Sequence, residues 1–251
     1  MSQENLKEFA QWVRNFTEEK KPEITTHDGR DYLMTTSGMK EILLPLPSTV
    51  NVVTLTGIID FIAGRKGLSP SPNRSSILHV ESPTSVSLYD ENVGLSHQKF
   101  TFLTAKALVP EIRFGKFMEQ DQFIIQAQSC FVHGLEDHLE AVLSVAGNIT
   151  EEKVQDTLDD GVSQVVTAKQ GVSTKTNIVV PKKVALTPIR SFVEIAQPTS
   201  EFVFRIQDGP EIALFEADGG AWRNEAMIRV KKWLEQELGL LGLNDKFTII
   251  A

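Results

Sequence analysis

Between residues 150 and 217 the apolar residues come in short groups. They are Val162, Val165-Val166, Ile178-Val179-Val180, Val184, Leu186, Phe192-Val193, Phe202-Val203-Phe204 and Ile212 with Leu214-Phe215. Gly161, Gly171, Pro181, Pro188, Pro198 and Asp208-Gly209-Pro210 separate them. Turn formers at this spacing hold each group to strand length, because glycine and proline break helical continuity. The stretch therefore predicts strand-turn-strand in a sandwich- or barrel-like sheet.

Helical periods occur elsewhere. In residues 4–19, Leu6, Phe9, Ala10, Val13 and Phe16 recur at helical spacing, and Pro22 follows. In residues 117–132, Phe117, Phe123, Ala127 and Phe131 do the same. Residues 135–146 predict a second helix beyond Gly134, which makes a helical hairpin. From Trp222 to Leu238, Trp222, Ala226, Val230, Trp233 and Leu234 form one face, and Gly239 and Gly242 follow. A short helix is expected over residues 56–63, with Thr54 or Thr56 as its cap.

The remaining segments are β-prone. Ile24-Thr25-Thr26 and residues 31–35 flank the turn signal His27-Asp28-Gly29-Arg30. Residues 68–76 are a Ser/Pro-rich loop. Residues 77–81, 85–89 and 100–108 then read as a three-strand meander, and residues 247–250 as a last strand. The fold class is α+β: a meander and a sandwich- or barrel-like sheet around a helical pair, with amphipathic helices at both ends. The change of pattern divides residues 1–148 from 149–251 within one integrated unit. Alternating βαβ units are absent, which argues against a doubly wound nucleotide-binding fold.

Charge and composition narrow the function classes. Lys and Arg number 25 against 33 Asp and Glu, a formal charge of −8. Basic residues pair only at Lys20-Lys21, Arg65-Lys66, Lys182-Lys183 and Lys231-Lys232, which is no stripe for phosphate neutralisation. Cys130 is the one cysteine, so neither an intramolecular disulfide nor a cysteine zinc site is expected. Its apolar surroundings predict an inert buried thiol. The start MSQENLKEFAQWVRNF lacks the pattern of a signal peptide. The most apolar stretch, residues 50–63, is interrupted by Asn51 and Asp60. A cytoplasmic protein with no membrane partner is expected.

Motifs for chemistry are sparse. The sequence has no P-loop signature, no dinucleotide-binding glycine fingerprint and no nucleophile elbow. Asp218-Gly219-Gly220 precedes a helix and reads as a tight turn with a carboxylate near the helix dipole. His133 and His138 lie five apart with acidic residues around them, an alternative metal pair for a metal-dependent hydrolase. That spacing diverges on a helix, and no cofactor or metal is expected. His79 and Glu81 would share a strand face, explained by a cross-strand hydrogen bond or solvent exposure. Asp156, Asp159 and Asp160 form an acidic turn before Gly161.

A second alternative is single-strand nucleic-acid binding by Lys99, Phe102, Lys106, Arg113 and Lys116, which combine stacking and phosphate contact. The aromatic set is dominated by 14 Phe, whose burial demands a core or a subunit interface. Phe9, Trp12, Phe16, Phe117, Phe123, Trp222 and Trp233 are the expected oligomer contacts.

Four stretches carry a further signal: ILHVESPTSVSLY, AKALVPEIRFGKFMEQDQFIIQAQSCFV, DDGVSQVVTAKQGV and GPEIALFEADGGAW. Together they resemble an uncharacterised family of tailed-phage and prophage proteins, chiefly from Gram-positive hosts, over most of the chain after about residue 50. The resemblance implies an accessory phage product inside the bacterial host cell. That family has no assigned activity, so no residue role follows from it. The expected function is a non-enzymatic accessory protein that forms a homo-oligomer, with a phage or host protein as a further partner.

Overall fold

The computed structural model describes residues 7, 23–27, 30–35, 38–42, 48–64, 76–93, 98–134, 138–148, 163–170, 174–181, 183–207 and 211–251. The expected helix over residues 4–19, with Phe9, Trp12 and Phe16, lies outside them apart from Lys7, as do the acidic turn and the expected loop of residues 68–76 except for Ser76, which begins a strand. Two compact units divide after Pro47. Among the described residues there are four α-helices and fourteen strands, and no barrel closes.

In the first unit, β1 (Glu23–His27), β2 (Arg30–Thr35) and β3 (Gly38–Glu41) form an antiparallel sheet. His27 pairs with Arg30, so the outer two residues of the expected turn signal belong to the strands of the first hairpin. Ile24, Thr26, Asp31, Leu33 and Lys40 fall on one face by register. No described side chain of this sheet is buried; Ile24 is 63% and Met39 61% exposed.

The second unit contains three sheets among the described residues, two of them covered by helices. The meander is present as β5 (Ser76–Ser82), β6 (Ser85–Val93) and β7 (Gln98–Lys106), antiparallel in sequence. Short parallel strands extend both edges: β4 (Val50–Val52) beside β7, and the expected last strand, β14 (Thr248–Ile250), beside β5. Leu78, Val80, Val86, Leu88 and Leu103 turn one face of this sheet inward, as period-two alternation requires. Two helices share that core. They are α1 (Leu55–Gly64), through Leu55, Ile58 and Ile62, and α4 (Ala221–Leu240), through Val230, Leu234 and Leu238. The Thr54 hydroxyl accepts the Gly57 N–H at 3.1 Å and caps α1.

The other sheet runs in the order β11 (Lys183–Leu186), β12 (Ser200–Gln207), β13 (Glu211–Glu216), β8 (Met118–Glu119). Its core joins Phe202, Phe204, Ile212 and Leu214 to Phe123 and Ala127 of α2 (Gln120–Cys130) and to Leu139 and Val142 of α3 (Leu139–Asn148). The sheet is open and helix-covered, which corrects the sandwich or barrel expectation. The helix expected from residue 117 starts at Gln120, because Met118 and Glu119 pair with β13. Phe192-Val193, expected in a strand, lies in the irregular connection of residues 187–199.

Strands β9 (Ser163–Gln170) and β10 (Thr174–Pro181) form a separate antiparallel hairpin. The division expected at residue 148 does not separate the packing. Each core draws residues from both sides of it, since long-range burial rather than chain order assembles a core.

Candidate functional site

The polar centre of the second unit is Arg190, 7% exposed, in the connection between the two cores. Its Nη1 donates to Glu216 Oε1 at 2.8 Å, and its Nη2 donates to Ser200 Oγ at 2.5 Å. The guanidinium lies 3.9 Å from the Trp222 ring centroid, within cation–π range, and Trp222 Nε1 donates to the same Glu216 oxygen at 3.1 Å. Gln197 Oε1 accepts the N–H groups of Arg190 and Ser191, each at 3.0 Å. Ser191 Oγ donates to the Pro83 carbonyl in the β5–β6 turn.

Asp218 completes the cluster. Gly219 and Gly220 have φ of 63° and 82°, a left-handed turn open to glycine, and this lets Gly220 N–H reach Asp218 Oδ1 at 2.9 Å. Burial works to raise the Asp218 carboxyl. Hydrogen bonds from Ser200 and from the Gly220 and Trp222 backbone, with the Arg190 charge, outweigh it and hold the group below the usual aspartate range. Burial pulls Arg190 from its ordinary value to about 10, against the charges of Glu216 and Asp218, so it stays protonated at neutral pH.

Arg190 Nη1 and Nη2, Glu216, Ser200 and Asp218 engage one another while Arg190 Nε stays buried without a hydrogen-bond partner among the described residues, and the cluster acts as a brace. It ties the connection between the cores to β12, β13 and the start of α4. Glu194, in the same connection, accepts the Thr56 N–H at 3.1 Å at the start of α1. Sequence reading singled out the Asp218 turn but missed Arg190, Ser200 and Glu216. The available signal was a lone arginine among apolar residues, Thr187-Pro188-Ile189-Arg190-Ser191-Phe192.

The expected oligomer residues are distributed differently. Phe123 is 1% exposed and packs on Phe204, and Trp222 is the ring beneath Arg190, so both belong to the interior of the chain. Trp233 is half-buried on the first core. Phe117 is exposed at 37%, edge-on to Phe215. Of the nucleic-acid set, Lys106, Arg113 and Lys116 are exposed, and the side chain of Lys99 lies outside the described residues. Phe102 is buried against Phe100 in the first core, which removes the stacking ring from that set.

The histidines serve the backbone. His138 Nδ1 accepts the Ala185 N–H at 2.9 Å and the His138 N–H donates to the Ala185 carbonyl at 3.0 Å, so His138 covers the outer edge of β11. His133 contacts Glu140 at 3.4 Å on the surface. Among the described residues no group of three or more His, Cys, Asp or Glu is placed to hold a metal. Glu81 accepts the hydroxyls of Ser85 and Ser87 at 2.9 and 2.7 Å, the cross-strand bonding expected on its face. Cys130 is a buried free thiol.

Along the outer side of α2 lies an open groove of about 370 Å³. Gln122, Ile125 and Gln126 line its helical wall, Glu111 and Arg113 the opposite wall, with Met118 between them. Gln126 Oε1 accepts the Arg113 N–H at 2.8 Å and joins the walls.

The fold and these sites define an α+β protein whose described residues form two helix-covered sheets, a two-stranded hairpin and a three-stranded sheet. Among the described residues no helix is long and apolar enough to cross a membrane. No protein-family model, curated protein or solved structure matches the chain.

Proposed function

We propose that the protein is a non-enzymatic phage or prophage accessory protein that assembles into a homo-oligomer inside its bacterial host. The phage context rests on the resemblance of the four quoted stretches. The observation that supports assembly is the three-stranded sheet of the first unit, which buries none of its described side chains. A small sheet is stable in water when one apolar face is covered. Ile24 and Leu33 share a face that also carries Asp31 and Lys40, of opposite charge. A second copy related by a two-fold axis would bury the two apolar residues and set Lys40 of each copy against Asp31 of the other. The expected contact thus moves from the interior Phe123 and Trp222 to this sheet.

The test is size-exclusion chromatography with light scattering at micromolar concentration. The wild-type mass is expected to be an integral multiple of 27.9 kDa. Ile24→Lys with Leu33→Lys should shift it toward the monomer. A wild-type monomer would refute assembly. An oligomer indifferent to the double substitution would refute this contact.

A further inference from the structure

The groove beside α2 combines features the brace does not use. Burial alternates along its second wall: Glu111 and Arg113 are exposed, whereas Ile112 and Phe114 pack against the second core. This is the alternation of an extended chain, so Glu111 and Arg113 point to the same side. Neither side chain has an ion-pair or hydrogen-bond partner among the described residues, and they are not paired with each other. The opposite wall offers the Gln122 amide and the apolar Ile125, 64% exposed, with buried Met118 between the walls. Gln126 is engaged by the Arg113 backbone, so the wall is fixed in place while its charged side chains stay free.

We infer that this groove binds a short zwitterionic peptide with an apolar side chain. The guanidinium of Arg113 is suited to two parallel hydrogen bonds with a terminal carboxylate, and Glu111 accepts from a terminal ammonium. Two residues of extended chain separate the positions of Glu111 and Arg113 by roughly 7 Å, which is also the span of a dipeptide. Ile125 and Met118 supply the apolar contact. The volume of about 370 Å³ lies at the lower end of the ~300–1,000 Å³ usual for ligand sites, which suits a ligand of this size. A free amino acid spans roughly half of this distance.

Isothermal titration of the full chain with the dipeptide alanyl-leucine tests the inference. Free leucine, N-acetyl-alanyl-leucine and alanyl-leucine amide serve as comparison ligands. Alanyl-leucine is expected to bind in the millimolar range, and each capped form at least about tenfold more weakly, the loss of one charge-assisted contact. Arg113→Gln should abolish the preference for the free carboxylate, and Glu111→Gln the preference for the free ammonium. Both positions are exposed, so circular dichroism should match wild type. Absence of binding at tens of millimolar, equal affinity for capped and uncapped dipeptides, or retention of both preferences in the variants would overturn the inference. Leucine binding as well as the dipeptide would also overturn it.

Discussion

Replacing Glu216 with Gln removes one charge and little else. The shape is kept, and the side-chain carbonyl still accepts from Trp222 Nε1 and from Arg190. What is lost is the nearest counter-charge of a guanidinium that is 7% exposed. Breaking a buried ion pair by removing one partner costs about 3–5 kcal/mol, because the surviving charge stays desolvated. Two features lower the figure here: the Glu216 side chain is 30% exposed, and Asp218 remains close enough to act on Arg190. Water screens an interaction that opens to the surface, so the expected loss is about 2 kcal/mol. For a unit of this size that corresponds to a fall in Tm of roughly 4–8 °C. Urea unfolding followed by circular dichroism should show a lower midpoint at unchanged slope. Arg190→Met should relieve the cost of the missing carboxylate, so the double variant should be less destabilised than the sum of the singles. A loss below about 0.5 kcal/mol for E216Q, or additivity of the pair within about 0.5 kcal/mol, would refute the brace.

Two further outcomes follow from the same geometry. Asp218 is held below its usual range in the folded chain, so its stabilisation is present above its unfolded value and lost as pH falls through its folded value. Asp218→Asn should flatten the acid limb of stability against pH in urea titrations, and an unchanged limb would contradict the assignment. His138→Ala should leave the Ala185 N–H at the β11 edge without its acceptor and cost about 1 kcal/mol, with faster hydrogen exchange at that amide; unaltered exchange would remove His138 from the edge.

Much of the local structure was legible because period and punctuation are local properties. Residues 76–80 alternate in burial as a strand must, and the stripe Trp222, Ala226, Val230, Leu234, Leu238 repeats at the spacing of a buried helical face. Thr54 stood where a cap was expected. The helix boundary at Gln120 was not legible, since Met118 and Glu119 become a strand through β13, more than ninety residues along the chain. The role of the aromatic residues escaped for the same reason. Helical or strand spacing marks a side chain as apolar-facing without saying what lies opposite.

The sequence by itself determined the α+β class, the meander and the long last helix. Each of these depends on residue type and spacing within a few turns or strands. The tertiary structure alone decided that Phe123 and Phe102 are core, that Trp222 lies beneath a cation, and that Arg190, Ser200, Glu216 and Asp218 meet. Those outcomes need contacts between segments whose spacing carries no periodic signal. A buried guanidinium is tolerated only where the fold has already brought its carboxylates and aromatic ring together.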